Sequence, residues 1–168
     1  MLTGERLKLT ESESIEIVGS GPDVLEVVAT YGPGGKAPPK HSHPAQDERF
    51  RVLEGAIRAR VGDQERGLSA GDEIEIPRRT PHKMWNPNPE PARVQWTTTP
   101  AGRTEEWFRA VDALVRSGGA SGAGGALSFA TLLNEFDDTF TLEVGPRPVV
   151  GGAVRALSLV NRLRGGGN

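Results

Sequence analysis

Between about residues 5 and 100, apolar side chains recur at every second position in short runs, each cut by glycine or proline. Ser14-Ile15-Glu16-Ile17 alternates, and so does Glu73-Ile74-Glu75-Ile76 until Pro77 stops it. Val24 to Tyr31 is rich in β-branched residues, and Ala92 to Thr99 reads as one more strand. In Ala56 to Val61 the period of two turns Ile57, Ala59 and Val61 inward and Arg58 and Arg60 outward, toward solvent. Glu54-Gly55, between that run and Glu48 to Leu53, has the composition of a tight hairpin turn. No helical period interrupts the series. Short strands at close spacing, with 22 glycines and 13 prolines to turn them, predict a sheet folded on itself as a sandwich or barrel.

The rhythm changes after Pro100. Thr104 to Arg116 places Trp107, Phe108, Val111, Leu114 and Val115 along one helical face. Residues 117–125 are small and glycine-rich, which predicts a flexible linker. Leu127 to Phe136 reads as a second helix, and about 150–163 as a third that turns Arg155 and Arg162 away from an apolar stripe. The expected division is a β-barrel over 1–100 and a helical extension over 101–168, its two or three helices packed on the barrel or on a second subunit.

The chain has three histidines, and all of them fall in two short motifs. His41 and His43 are two residues apart, so on a strand both imidazoles leave from one side, about 6.5–7 Å apart along the chain. Nitrogen ligands sit about 2.0–2.1 Å from an ion such as zinc, so the pair can converge without bending the backbone. Glu48 begins the next strand and shares its face with Phe50 and Val52, which makes that face interior. His82 arrives from a later strand, with Met84 and Asn86 on its side. Three imidazoles and a carboxylate on one concave surface leave one or two coordination positions open. Such a nitrogen and oxygen set suits one divalent transition metal (iron, manganese, nickel, copper or zinc) without choosing among them.

These residues resemble the paired motifs of the cupin superfamily. Gly35, His41, His43, Glu48 and Gly55 match the first motif in full, and Gly71, Pro77, His82 and Asn86 match the second. Arg79 stands where the family usually has glycine, and a side chain there is unfavourable if the turn needs positive φ. The resemblance covers roughly residues 24 to 99. It implies an antiparallel jelly-roll barrel with His41, His43, Glu48 and His82 as metal ligands, and it suggests a homodimer.

Other function classes are narrowed by composition. A net charge of −2 gives no electrostatic footprint for nucleic acid, and no apolar stretch is long enough to span a membrane. The absence of cysteine removes thiolate chemistry, and the N-terminus lacks the apolar run of a signal peptide, so the expected location is the cytoplasm. The inward-facing side chains are nearly all apolar, and Tyr31, Phe50, Met84 and Trp96 are the candidate substrate contacts. The expectation is an enzyme acting on a small, partly hydrophobic molecule at a mononuclear metal. Dioxygenase-like oxidation is favoured, with Glu48 as candidate base. A metal-dependent isomerase or cyclase, a non-catalytic small-molecule binder, and a barrel that its metal merely stabilises are the alternatives.

Overall fold

The computed structural model describes residues 4–143 together with Arg155, Ala156 and Leu159. Its strands are β1 (Arg6–Lys8), β2 (Glu13–Ser20), β3 (Leu25–Tyr31), β4 (His41–Ser42), β5 (Asp47–Glu54), β6 (Ala56–Val61), β7 (Gln64–Ser69), β8 (Glu73–Ile76), β9 (His82–Trp85) and β10 (Ala92–Thr99). Helices α1 (Thr104–Arg116) and α2 (Gly122–Glu135) follow, and a last short strand β11 (Thr141–Leu142) returns to the barrel. The third expected helix, over about 150–163, lies outside the described residues save for Arg155, Ala156 and Leu159, which are helical.

Two antiparallel sheets face each other, in the orders β1-β2-β3-β10-β5-β8 and β11-β4-β9-β6-β7. This is the expected jelly-roll barrel. Alternation sets the inner faces: Leu25, Val27, Ala29 and Tyr31 are buried on β3, and Ala92, Val94, Trp96 and Thr98 on β10. Trp96 lies in register with Val27 on one side and Phe50 on the other, and its ring stacks on Phe50 at 5.1 Å. Each apolar side chain so enclosed contributes about 1.5–3 kcal/mol.

Glu54-Gly55 does not close a hairpin. β5 pairs with β10 and β8, whereas β6 pairs with β7 and β9, so the chain crosses here from one sheet to the other. Gly55 permits the corner with φ of 74°, and a Cβ there would stand 2.6 Å from the Pro91 carbonyl oxygen. The tight hairpin lies one strand later, where Gly62-Asp63 joins β6 to β7 and Val61 pairs with Gln64.

The helices share the barrel's core. Trp107, Phe108 and Val111 of α1 are buried, and Phe108 meets Trp96 edge-on at 5.0 Å. Asp112 accepts the Lys8 backbone N–H at 2.6 Å, and Arg116 donates to the Arg6 carbonyl at 2.6 Å, which fastens α1 along β1. α2 begins at Gly122, inside the stretch expected to be a linker. Gly125 packs so closely on Ala120 that a Cβ would lie 2.4 Å from the Ala120 carbonyl carbon, so glycine here serves a close turn between helices. Among the described residues no helix is long and apolar enough to cross a membrane.

Candidate metal centre and cavity

β4 with the residue that follows it, β5 and β9 bring His41, His43, Glu48 and His82 together inside the barrel. His41 lies directly opposite His82 across the β4–β9 pair, and their ring centroids are 4.4 Å apart. The candidate ligand atoms of the three histidines all lie within 4.8 Å of one another. The Glu48 carboxylate faces two of these rings, with Oε1 3.3 Å from His43 Nε2 and Oε2 3.0 Å from His82 Nε2. His43 and Glu48 are buried to 5% and 3% exposure and His82 to 3%, while His41 is half-buried.

Backbone carbonyls set the ring orientations. His43 Nδ1 is 2.7 Å from the Thr139 oxygen, and His82 Nδ1 is 2.9 Å from the Thr80 oxygen. A carbonyl only accepts, so each Nδ1 carries the hydrogen and each Nε2 turns its lone pair inward. The Pro39 carbonyl takes a hydrogen bond from the His41 ring. Two lone-pair donors thus point at an anionic carboxylate across about 3 Å, an arrangement that a proton or a metal cation must bridge. His43 Nε2 and Glu48 Oε2 accordingly stand buried without a hydrogen-bond partner. These donors fit a divalent transition ion.

Burial, and then the neighbouring His82 and His43, push His41 well below its ordinary pKa, so it is a neutral donor. Burial by itself would raise Glu48, but with no metal between them the charge of protonated His43, and the hydrogen bond and charge of protonated His82, outweigh it and bring the carboxyl down to about 2. Trp96 supports that anion by donating its indole N–H to Glu48 Oε1 at 3.0 Å.

The turn before His82 explains two motif residues. Arg79 adopts φ of 65°, the left-handed conformation in which glycine is favoured, and its N–H donates to the His43 carbonyl at 2.8 Å. Asn86 is fully enclosed and tethers a loop: its Nδ2 donates to the Glu90 carbonyl at 2.8 Å, and its own carbonyl accepts from Gly35 N at 2.7 Å.

A cavity of about 260 Å³ opens beside the histidines, and Tyr31, Phe50, Met84 and Trp96 all line it. Its walls also include residues that the sequence reasoning did not assign. Phe140 stacks on His41 at 4.6 Å and on Trp107 at 4.8 Å, while β11 pairs with β4 and Glu143 N bonds the Lys40 carbonyl. The segment after α2 therefore reaches the metal centre. Glu13 also lines the cavity, paired with Tyr31 in the β2–β3 register, and the two side chains are hydrogen bonded. The available signal was the alternation itself: Glu13 continues the inward Ile15 and Ile17 face one step back.

The fold and the donor cluster define a double-sheet β-barrel with a three-histidine cluster inside it. The cupin domain family model matches residues 27–98, and the barrel has the fold of solved cupin structures. A protein named as an oxidoreductase from Arthrobotrys oligospora is 38% identical over 52 residues, 30% of this chain, and the match spans about a fifth (21%) of that protein's length. An RmlC-like cupin from Shewanella frigidimarina superposes with a TM-score of 0.55 at 19% identity, covering 61% of this chain and 89% of its own. KdgF from a Halomonas species gives 0.51 at 22% identity, covering 56% and 86%. A cupin sugar phosphate isomerase from Silicibacter pomeroyi gives 0.53 at 22%, covering 58% and 71%. These structural likenesses concern the fold.

Proposed function

We propose that this chain is a metal-dependent oxidoreductase of dioxygenase type, acting on a small and mainly apolar molecule. The observation that carries the reading is the inward convergence of the His43 and His82 lone pairs on the buried Glu48 carboxylate, with His41 beside them. His41, His43, His82 and Glu48 would hold one divalent transition ion, which when bound supplies Lewis acidity and an exchangeable site for oxygen ligands. The chain's own residues do the rest. The carbonyls of Thr139 and Thr80 fix two rings in the ligating tautomer, and Phe140, itself stacked on Trp107, packs against His41. Apolar walls select a substrate with little polar surface, while Glu48 is the candidate proton acceptor beside the ion. The likeness to a protein named as an oxidoreductase supports redox chemistry over isomerisation. The proposal also places the protein in the cytoplasm as a homodimer, in line with the family resemblance.

The test is metal content after purification without chelators, followed by anaerobic loading with iron(II) and addition of nitric oxide. We expect one ion per chain and a nitrosyl spectrum. The His43→Ala variant should lose the ion while keeping the circular dichroism of the barrel. Unchanged metal content in that variant would remove the ligand assignment, and a loaded protein blind to nitric oxide would remove the oxygenase reading.

A further inference from the structure

The cavity has polar groups at two places. One is the histidine cluster, and the other is Glu13 with Tyr31, which come from strands β2 and β3 and stand directly opposite each other in register. Apolar side chains, among them Leu9, Phe50, Met84 and Trp96, make up much of the wall around them. The same two residues also line an adjoining cavity of about 60 Å³ with Thr10 and Lys36, so the pair is reached from both spaces. Tyr31 fills one acceptor position of the Glu13 carboxyl, which offers up to about four when ionised.

We propose that Glu13 and Tyr31 form a second recognition pole, which orients a mainly apolar ligand by accepting a hydrogen bond from that ligand's own hydroxyl or amine while its opposite, oxygen-bearing end meets the histidines. The oxygen-bearing end rests on the metal-centre reading above; the pole does not. A carboxyl placed in an apolar wall works against folding. Burial lifts Glu13 to about 7, the opposing hydrogen bond from Tyr31 notwithstanding, and burial with the nearby Glu13 pushes Tyr31 well above its ordinary value. A core that needed only filling is served better by leucine at that position. The pair is therefore a specificity determinant facing the ligand, and the ligand class is a short aliphatic or aromatic molecule with a metal-binding oxygen at one end and a hydrogen-bond donor at the other.

Two arms test it. In the first, metal-free protein is titrated with hexanol, hexylamine and hexyl methyl ether while backbone amide shifts of β2 and β3 are followed by NMR. The donors should bind about three- to tenfold more tightly than the ether, the net worth of one hydrogen bond. Glu13→Leu should abolish the preference. Glu13→Gln, which keeps a neutral acceptor of the same shape, should retain it for the alcohol and lose it for the amine if the carboxylate charge matters. Equal affinity for alcohol, amine and ether, or no binding of any of them, overturns the proposal. In the second arm, zinc-loaded protein is titrated with hexanohydroxamic acid and its ω-hydroxy derivative. Failure of both hydroxamates alongside a donor preference in the first arm would reject the metal centre and leave the pole standing. Binding of both with no gain from the ω-hydroxyl, in this pair and in its four- to eight-carbon homologues, would reject the pole.

Discussion

Glu13 gives the chain a dependence of stability on pH that can be worked out in advance. Its carboxyl ionises near 4.5 in an unfolded chain and near 7 in the fold, because the cavity wall desolvates it. Over that interval the folded chain holds a proton that the unfolded chain has released, so stability falls as pH rises. The contribution is fully present below pH 4.5 and is lost as pH passes through 7. The size follows from the gap between the two values, which at about 1.4 kcal/mol per pH unit corresponds to roughly 3 kcal/mol. Glu13→Gln removes the titration and keeps an oxygen for the Tyr31 hydroxyl. Urea unfolding of both proteins across this range, with chelator present, isolates the effect, since other groups such as His41, His82 and Glu48 cancel in the difference. We expect the two to be similar near pH 4.5 and the variant to be ahead by about 2–3 kcal/mol above pH 7. Parallel curves would refute the enclosure of the carboxyl. A wild type that gains on the variant with rising pH would mean that the fold favours the anion.

Two further outcomes concern the backbone. Gly55→Ala should cost about 3 kcal/mol in urea unfolding, since it combines a left-handed residue with a Cβ driven into the Pro91 backbone. Gly62→Ala, at φ of 58° with open space around it, should cost only about 1–2 kcal/mol, and equal losses would dismiss the role of close approach at the sheet crossing. Arg79→Gly should raise stability by up to about 1 kcal/mol, because relief of the left-handed conformation exceeds the added entropy of glycine in the unfolded chain. A loss would show that the Arg79 side chain, whose Nε reaches the Pro44 carbonyl only at 3.4 Å, holds the turn after all.

The barrel was legible from the chain because a period of two states which side chains point inward, whatever the strands pair with. Phe50, Val52, Ile57, Ala59, Val94 and Trp96 are all buried as the alternation predicts. Pairing is another matter. The Glu54-Gly55 turn signal is the same whether a chain doubles back or passes to the other sheet, and only the partners claimed by β5 and β6 decide it. α1 announced itself by Trp107, Phe108 and Val111 at helical spacing, but nothing local to Phe140 says that it stacks on His41. β11 and β4 are two residues each, too short to carry a period, and they lie about a hundred positions apart.

That asymmetry has a physical consequence for how this site is divided. The candidate metal donors sit on or directly beside β4, β5 and β9, inside the stretch that matches the cupin family, and strand alternation turns them toward the barrel interior. Part of the cavity wall comes from outside it: Glu13 and Leu9 precede residue 27, and Trp107, Phe108 and Phe140 follow residue 98. From these outer segments Phe140 stacks on His41, and one main-chain group fixes a ring tautomer. Thr139, in the same C-terminal segment as Phe140, fixes His43 through its backbone carbonyl and not its side chain. Any residue at 139 that keeps the chain path preserves the tautomer. The candidate donors thus come from the cupin-like stretch, whereas the cavity wall is shared between that stretch, through Tyr31, Phe50, Met84 and Trp96, and the segments on either side of it, with the Thr139 carbonyl linking the two at His43.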